Sequence, residues 1–276
     1  MAYWLAQPGD AAPQYFNRGR VERFEYRGDW KASNALRTVF GAEHERSRSF
    51  DGFSTAKTHA SGAYLQLVAD PIEQLTVTGG IRLDDHATYG TSTTMSANLA
   101  WRAGTTTTIR AAYGEGFKAP TLFQLFSYYG NAALKPESAK SYDLGIEQRL
   151  IDDHVTLSLT LFRRDTTDQI DFISCYAPNT GICTGRPDGT YDNIDKTRAK
   201  GIETTLEIRP TRQVDVRVNY TWLDAKDRTT GLALIRRPRH NLSADIDWTT
   251  PLDLRLGATL RLASDSADTD FQTFSR

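Results

Sequence analysis

The chain has 276 residues, of which 39% are hydrophobic and 24% are charged, and its formal net charge is −1. The hydrophobic share is too high for a disordered chain, and the near-zero charge argues against broad electrostatic attraction to nucleic acid. No run approaches the roughly 18 consecutive apolar residues of a membrane-spanning helix, and no secretory signal opens the chain. Two cysteines exclude a disulfide-dense scaffold and a four-cysteine zinc site.

Alternation of apolar and polar residues is the strongest pattern. It is weak near Leu36–Ala42, becomes regular from Leu75 and predicts strands with one apolar face. We count about twelve such segments, each near the 9–11 residues that a tilted membrane strand needs. The clearest apolar positions are, in chain order, Leu75, Val77, Ile81 and Leu83; Met95, Ala97, Leu99 and Trp101; Ile109, Ala111 and Tyr113; Tyr142, Leu144 and Ile146; Val155, Leu157, Leu159 and Leu161; Ile202, Leu206 and Ile208; Val214, Val216, Val218, Tyr220 and Trp222; Leu242, Ala244, Ile246 and Trp248; Leu254, Leu256, Ala258, Leu260 and Leu262.

The predicted connections alternate between short and long. Short turns are expected at Asp70–Ile72, Arg102–Thr105, Leu150–Asp153, Arg209–Gln213 and Thr249–Pro251. Long loops are expected at Ser47–Thr58, Asp84–Ser92, Glu115–Ala139, Thr166–Ala199 and Asp224–Arg237. This layout is typical of an outer-membrane barrel, although a soluble β-barrel or sandwich also has one polar face. No helix of useful length, no linker and no internal repeat is predicted.

The segment Ala112–Leu150 resembles the strand–loop–strand signature of TonB-dependent outer-membrane receptors. In that family a Phe-Lys/Arg-Ala-Pro group ends one strand, a Leu-x-Pro-Glu group follows, and the next strand carries a Gly-hydrophobic-Glu group. The matching residues are Phe117, Lys118, Ala119 and Pro120; Leu134, Pro136 and Glu137; and Gly145 and Glu147. Two further family-like stretches follow in order, Tyr191–Glu203, which contains Gly201 and Glu203, and Leu234–His240. The resemblance covers most of the chain after about Ala60.

The resemblance implies an all-β fold, an antiparallel transmembrane β-barrel of the cell outer membrane with short periplasmic turns and long extracellular loops. The family closes about 22 strands, so residues 1–276 are expected to be one partial barrel domain. The family's N-terminal plug domain with its TonB box, and several strands at each end, are not found in this sequence. Two open sheet edges would leave backbone groups unpaired in a bilayer, so we expect that the chain alone does not insert and fold stably.

The resemblance also implies active uptake of a scarce ligand, driven by TonB acting on the plug. The run Phe126–Asn131 looks most like the corresponding loop of cobalamin transporters, so cobalamin is the expected ligand and a siderophore or haem receptor is the alternative. The expected partners are cobalamin or a ferric siderophore, TonB through the missing plug, and outer-membrane lipid, without nucleic acid. A passive porin and a soluble β-rich binding module are the other classes; the family signature argues against the first and the one-sided apolar bands against the second.

The loop between the two halves of the signature holds most candidate ligand-binding residues: Phe126, Tyr128, Tyr129 and Asn131. Exposed aromatic rings suit stacking on a flat ligand, although a packed loop would use the same rings. Pro120 and Pro136 donate no backbone hydrogen bond and must lie outside the strand ladder. For the motif residues we favour a structural clasp over a direct role at the ligand.

Arg236 and Arg237 are the other candidate ligand-binding residues, and they precede a strand at the long-loop end. They could bind an anionic ligand or lipopolysaccharide phosphates. They could equally pair with carboxylates such as Glu203 or Asp245, and the sequence leaves both interpretations open.

Cys175 and Cys183 lie in the longest predicted loop with seven residues between them, where the surroundings are oxidising. We expect a disulfide between them, which would stiffen the loop.

No metal site, cofactor or catalytic group is predicted. The acidic groups Asp84–His86 and Asp265–Asp270 do not provide a full set of calcium ligands, so solvated turn residues are expected there. The five histidines are scattered, and no hydrolase, phosphate-loop or metalloprotease motif occurs. The protein is therefore not expected to be an enzyme.

Overall fold

The computed structural model describes residues 17–175, 180–186 and 188–268, except for the side chain of Asp195. In these ranges twelve strands form one sheet in which each strand pairs antiparallel with its neighbours in sequence. This confirms the all-β antiparallel fold. The strands are β1 (Arg18–Lys31), β2 (Leu36–Phe50), β3 (Thr55–Ile72), β4 (Leu75–His86), β5 (Gly90–Arg102), β6 (Thr107–Lys118), β7 (Glu137–Leu150), β8 (Val155–Ile173), β9 (Thr190–Thr211), β10 (Val214–Asp227), β11 (His240–Thr249) and β12 (Arg255–Ala263).

The register places the alternating apolar residues on one face of the sheet, which we call the apolar face. One row crosses seven strands without interruption: Val77, Leu99, Ala111, Leu144, Leu161, Ile202 and Trp222. The opposite, polar face carries ion pairs between neighbouring strands, such as Arg110 with Glu147 at 2.9 Å and Arg217 with Glu207 at 2.7 Å. A one-residue slip would exchange the two faces, so the alternation itself fixes the register.

The apolar face is exposed. Leu144 keeps 53% of its surface accessible, Leu161 46% and Leu260 53%. Among the described residues, few apolar side chains are buried: Val39, Leu122, Leu125, Leu134, Ile170, Cys175 and Ala225. An exposed apolar band of this extent far exceeds what a soluble monomer normally shows. In the described part of the chain, no helix has the length and apolar character of a membrane span.

The connections at the two ends of the sheet differ in length, but several of the predicted long loops are shorter than expected. At the end that we call the loop end, the expected long loop Ser47–Thr58 is wrong, because β2 and β3 continue to a turn at residues 51–54. The Asp51 carboxylate closes this turn by accepting the backbone N–H groups of Phe53 and Ser54 at 2.9 and 2.7 Å. Gly52 adopts φ +98° there, a conformation that suits glycine.

The expected long loop Asp84–Ser92 is also wrong, because only residues 87–89 separate β4 from β5. The predicted loop Thr166–Ala199 is too long as well. There β8 and β9 continue as a paired ladder from Thr166 with Thr197 to Ile173 with Thr190. With 19 and 22 residues, these strands are about twice as long as a membrane crossing requires.

A short helix that was not predicted, α1 (Leu122–Phe126), lies in the β6–β7 connection. Thr121 accepts the backbone N–H of Gln124, and the Gln124 side chain accepts the backbone N–H of Thr121 at 2.9 Å. This reciprocal capping box is written in the sequence as Thr-x-x-Gln. It was missed because the apolar run that follows covers little more than one helical turn.

Candidate ligand-binding surface at the loop end

The two halves of the family signature meet at the base of the β6–β7 loop. Lys118 and Glu137 are the last register pair of β6 and β7, and Lys118 Nζ lies 2.7 Å from Glu137 Oε1. Pro120 and Pro136 lie just beyond this pair, outside the ladder. The sequence motifs thus close a loop of residues 119–136, which we call the clasp loop.

The clasp loop has its own apolar core. Leu125 of α1 packs with Leu134 and with Ile170 of β8, and these side chains keep 7%, 3% and 9% of their surface accessible. Helix α1 also contacts β2 and β3. The loop therefore leans over the short β4–β5 turn, where the Tyr89 hydroxyl donates to the Leu134 carbonyl at 3.2 Å.

Backbone and amide hydrogen bonds attach the clasp loop to β9. Asn131 is only 5% exposed, and its side chain donates to the Tyr191 carbonyl at 3.0 Å and accepts the Ala133 N–H at 3.0 Å. Asn193 accepts the Lys135 N–H at 2.9 Å and donates to the Lys135 carbonyl at 3.1 Å. The hydrogen-bonding capacity of Asn131 is thus largely used inside the protein.

The connection between β8 and β9, described at residues 174–175, 180–186 and 188–189, forms a second loop that is joined to the clasp loop. A disulfide links Cys175 and Cys183, as the sequence led us to expect. The fully buried Thr190 hydroxyl donates to the Tyr129 carbonyl at 3.1 Å. The Tyr128 hydroxyl donates to Asp188 at 2.7 Å. These contacts make one unit of the two loops, which we call the loop assembly.

Five aromatic rings run through the loop assembly in sequence of contact: Tyr128, Tyr129, Phe172, Tyr191 and Phe123. Neighbouring centroids lie between 5.1 and 6.3 Å apart, which is the range of favourable edge-to-face contacts. Tyr129, Tyr191 and Phe123 are half-buried, Phe172 is 40% exposed, and the chain of rings is most open at its tip. Tyr128 is 67% exposed and nearby Phe126 is 50% exposed, so the tip combines a fixed position with free ring faces.

A cavity of about 660 Å³ lies between the clasp loop and strands β1–β4; most of its lining belongs to the polar face, and Arg20, Arg48 and His59 of the opposite face also border it. Its wall holds a connected ion network in which two arginines meet three carboxylates: Arg23, Glu43, Glu45, Arg82 and Asp84. Arg82 lies 2.6 Å from Asp84, and Arg23 lies 2.7 Å from Glu45. Because both arginines are already paired with carboxylates, this wall offers hydrogen-bond donors and acceptors rather than an unpaired cation.

The loop groups show how the local environment changes acidity. The hydrogen bond to Asp188 raises the pKa of Tyr128, because it favours the neutral phenol beside a carboxylate. Burial raises the pKa of Tyr89. The hydrogen bonds donated by the Ser54 and Phe53 backbone lower the pKa of Asp51.

The remaining motif residues lie on the polar face or close to a neighbouring strand. Glu147 pairs with Arg110, and Gly145 lies opposite that arginine. Gly201 is buried, and a Cβ there would lie 2.1 Å from the Trp222 carbonyl and 2.6 Å from the Phe162 ring. Glu203 is exposed on the polar face of β9. Gly201 therefore serves close backbone approach.

Arg236 lies in the β10–β11 connection, with φ +56°. Its side chain pairs with Asp268 at 3.2 Å, not with Glu203 or Asp245; Asp245 instead accepts from the Thr259 hydroxyl. Arg237 donates to the Arg236 carbonyl at 3.2 Å. Among the described residues, no recorded hydrogen bond or ion pair joins these arginines to the loop assembly.

The acidic groups do not assemble into a metal site in the described ranges. Asp84 binds Arg82, as described above, and Asp268 binds Arg236. Asp270, the third member of the second group, lies outside the described residues.

A single antiparallel sheet with one exposed apolar face, one polar face and long connections at one end defines the wall of a membrane β-barrel. The sequence profile described as "TonB dependent receptor-like, beta-barrel" matches residues 3–275. The chain therefore belongs to the TonB-dependent receptor β-barrel family, which consists of transport receptors of the outer membrane and not of enzymes.

Solved structures share this fold at low sequence identity. The ferric enterobactin receptor PfeA of Pseudomonas aeruginosa superposes with a TM-score of 0.75 at 21% identity over 90% of this chain and 41% of its own. The siderophore receptor PirA of Pseudomonas aeruginosa superposes with a TM-score of 0.70 at 23% identity, over 90% of this chain and 46% of its own. The copper transporter OprC superposes with a TM-score of 0.73 at 16% identity, over 90% of this chain and 43% of its own. The chain thus spans less than half of the length of these structures.

The comparisons support the family and leave the cobalamin expectation without support. One of these three structures is named as a ferric enterobactin receptor, one as a siderophore receptor and one as a copper transporter. Sequence reasoning had centred on the Phe126–Asn131 run. It missed Tyr89, Asp188 and Thr190, since these residues reach the clasp loop only through folding.

Proposed function

We propose that the whole protein is an outer-membrane receptor that takes up a ferric siderophore, and that this chain supplies about twelve strands of its barrel. The carrying observation is the clasp loop, which exposes the rings of Phe126 and Tyr128 and whose first residues, 119–123, line a polar-walled cavity. Aromatic faces suit flat aromatic ligand groups, and a wall with both charges suits polar ones.

The membrane location is part of this proposal. The exposed apolar face gives the band that lipid requires, while the ladder satisfies the backbone hydrogen bonds that lipid cannot. In this arrangement the polar face lines the barrel lumen, and the loop end faces the cell exterior. The family resemblance supplies the energy coupling, in which TonB acts on a plug domain inside the lumen.

The choice of a siderophore over cobalamin rests on two lines of support. The run Phe126–Asn131 that suggested cobalamin has a structural role in part, since Asn131 is buried and bonded to Tyr191 and Ala133. The names of the similar structures favour siderophore chemistry.

Uptake by cells that express the complete gene tests the proposal. Ferric enterobactin and cyanocobalamin are the probes, each with and without functional TonB. We expect TonB-dependent accumulation of iron and none of cobalamin. Cobalamin uptake without iron uptake would overturn the siderophore assignment, and conductance without TonB dependence would favour a porin.

The double variant Phe126→Ala/Tyr128→Ala tests the aromatic tip. Each aromatic contact contributes about 0.5–1.5 kcal/mol, so we expect roughly tenfold weaker binding of the ferric siderophore. Phe53→Ala is the matched control, because Phe53 is an aromatic residue at the β2–β3 turn that is 98% exposed. Equal loss in both variants would remove the role assigned to the tip.

A further inference from the structure

Above the apolar band, the apolar face of β1–β3 carries a concentration of positive charge. Arg20, Arg48 and Lys57 are direct register partners across the three strands. In the next row, Glu22, Arg46 and His59 face one another in the same way. We call Arg20, Arg46, Arg48 and Lys57 the basic patch.

The basic patch is short of counterions. Arg20 pairs with Glu22 at 2.5 Å. Among the described residues, Arg46, Arg48 and Lys57 have no carboxylate within ion-pair distance. Four cations against one carboxylate leave a formal charge of +3 with neutral histidines. Like charges directly opposite one another destabilise a sheet, so the charges of the patch repel one another.

Strands β6–β9 show that unpaired positive charge is not a general property of the apolar face. On the same face, one row reads Glu115, Lys140, Asp165 and Arg198 from β6 to β9, with alternating sign. Lys140 lies 3.4 Å from Glu115, and Arg198 lies 2.5 Å from Asp165. This paired row neutralises itself, whereas the basic patch does not.

The patch lies where a lipid headgroup would be. On β2, Arg46 and Arg48 are four and six residues beyond Ala42, which belongs to the apolar stretch that contains Phe40. At about 3.4 Å per residue, these distances are roughly 14 and 20 Å along the tilted strand. The patch residues line a cavity of about 610 Å³, and all four are exposed.

We propose that the basic patch binds the phosphate groups of an anionic glycolipid in the outer leaflet. This inference rests on the membrane location in the proposed function and concerns side chains of the apolar face. Two of them, Arg20 and Arg48, also border the cavity of about 660 Å³ described above. Arginine and lysine donate charge-assisted hydrogen bonds to phosphate oxygens. A bound phosphate would supply the negative charge that the two cross-strand rows lack.

Lipid binding by the full-length receptor in detergent tests this inference. The probe is bis-phosphorylated lipid A, and dephosphorylated lipid A and inorganic phosphate are the comparison ligands. The triple variant Arg46→Gln/Arg48→Gln/Lys57→Gln removes three positive charges from the patch. The matched control is Lys140→Gln/Arg163→Gln/Arg198→Gln, which removes three positive charges from the same face at β7–β9.

We expect the patch variant to bind lipid A on the order of a hundredfold more weakly, since each Lys or Arg near an anionic surface contributes about a factor of five. The control variant should lose much less, and dephosphorylated lipid A should bind both proteins weakly. Heat-modifiable migration checks folding, and Arg48→Gln/Lys57→Gln replaces the triple variant if that variant does not fold.

Equal affinity of the patch and control variants for lipid A would overturn the inference. So would equal affinity of the parent for phosphorylated and dephosphorylated lipid, or binding that inorganic phosphate alone abolishes at low concentration. Because no siderophore is used, failure here is distinguishable from failure of the proposed uptake function.

Discussion

At the scale of single residues, the loop assembly depends on polar contacts between segments about 60 residues apart. Asn131 reaches Tyr191, and Tyr128 reaches Asp188. The sequence marked Tyr128 and Asn131 as candidates because of their type and neighbours. It could not show that Asn131 points inward and Tyr128 outward, since both lie in irregular backbone without a period.

The Tyr128–Asp188 contact gives a prediction about pH. The hydrogen bond to Asp188 raises the pKa of Tyr128. The contact is therefore fully present below the ordinary phenol pKa of about 10. It is lost as the pH rises through the higher folded value. We therefore expect Asp188→Ala to bring the ionisation of Tyr128 to lower pH. The measurement is the phenolate absorbance difference between each protein and its Tyr128→Phe counterpart.

An unchanged Tyr128 titration in Asp188→Ala would contradict this prediction. Asp171→Ala is a suitable control, because Asp171 lies in β8 and its recorded hydrogen bond is to the adjacent Phe172 N–H. This control should leave the phenol titration where it is.

At the scale of elements, strands with one apolar face could be predicted and strands with two polar faces could not. Val155–Leu161 alternates and was found, whereas residues 190–199 of β9 have no alternation and were read as loop. Backbone pairing with β8 holds this segment as a strand. The same applies to the ends of β2 and β3, which the Asp51 turn joins.

Gly201 gives a prediction at this scale. A methyl group at Gly201 would overlap the Trp222 carbonyl of β10, which is backbone and cannot turn aside. We expect Gly201→Ala to destabilise the folded barrel by about 1–3 kcal/mol through overpacking. Gly114→Ala is the control, because Gly114 lies within β6 and its Cβ would meet open space.

The measurement is the temperature at which the folded band disappears on semi-native gels of the full-length protein. We expect Gly201→Ala to unfold at clearly lower temperature and Gly114→Ala to stay near the parent. If the two variants behaved alike, the glycine would not be needed for close approach of β9 and β10.

At the scale of the whole molecule, the hydrophobic pattern of a soluble protein is inverted, because the large aliphatic side chains are exposed on one face of the sheet. The period-two pattern revealed this layout, and the family signature revealed the barrel. The ligand could not be predicted in the same way, because it depends on the joint surface of two loops rather than on any one run of residues.

The inverted distribution predicts opposite outcomes at neighbouring positions. Leu144 lies on the apolar face between Ala111 and Leu161, and Asp143 lies on the polar face. In lipid, Leu144→Arg should cost about 2–4 kcal/mol near the middle of the bilayer. Asp143→Arg should cost much less, because its side chain points into water.

The amount of trypsin-resistant, heat-modifiable receptor in isolated outer membranes measures this difference. A soluble module would show no such contrast, since an added arginine on an exposed face is harmless in water. Equal yields of the two variants would therefore argue against the membrane placement.

The long paired extension of β8 and β9 has a consequence for recognition by other organisms. Backbone hydrogen bonds between β8 and β9 stabilise this extension, and most of its side chains on both faces are polar. Its exposed polar side chains can therefore be exchanged, whereas Ile170, Phe172 and Tyr191 pack with the clasp loop and cannot. In the outer-membrane receptor proposed above, the surface that antibodies or bacteriophages meet can therefore change while the extension keeps the clasp loop in place.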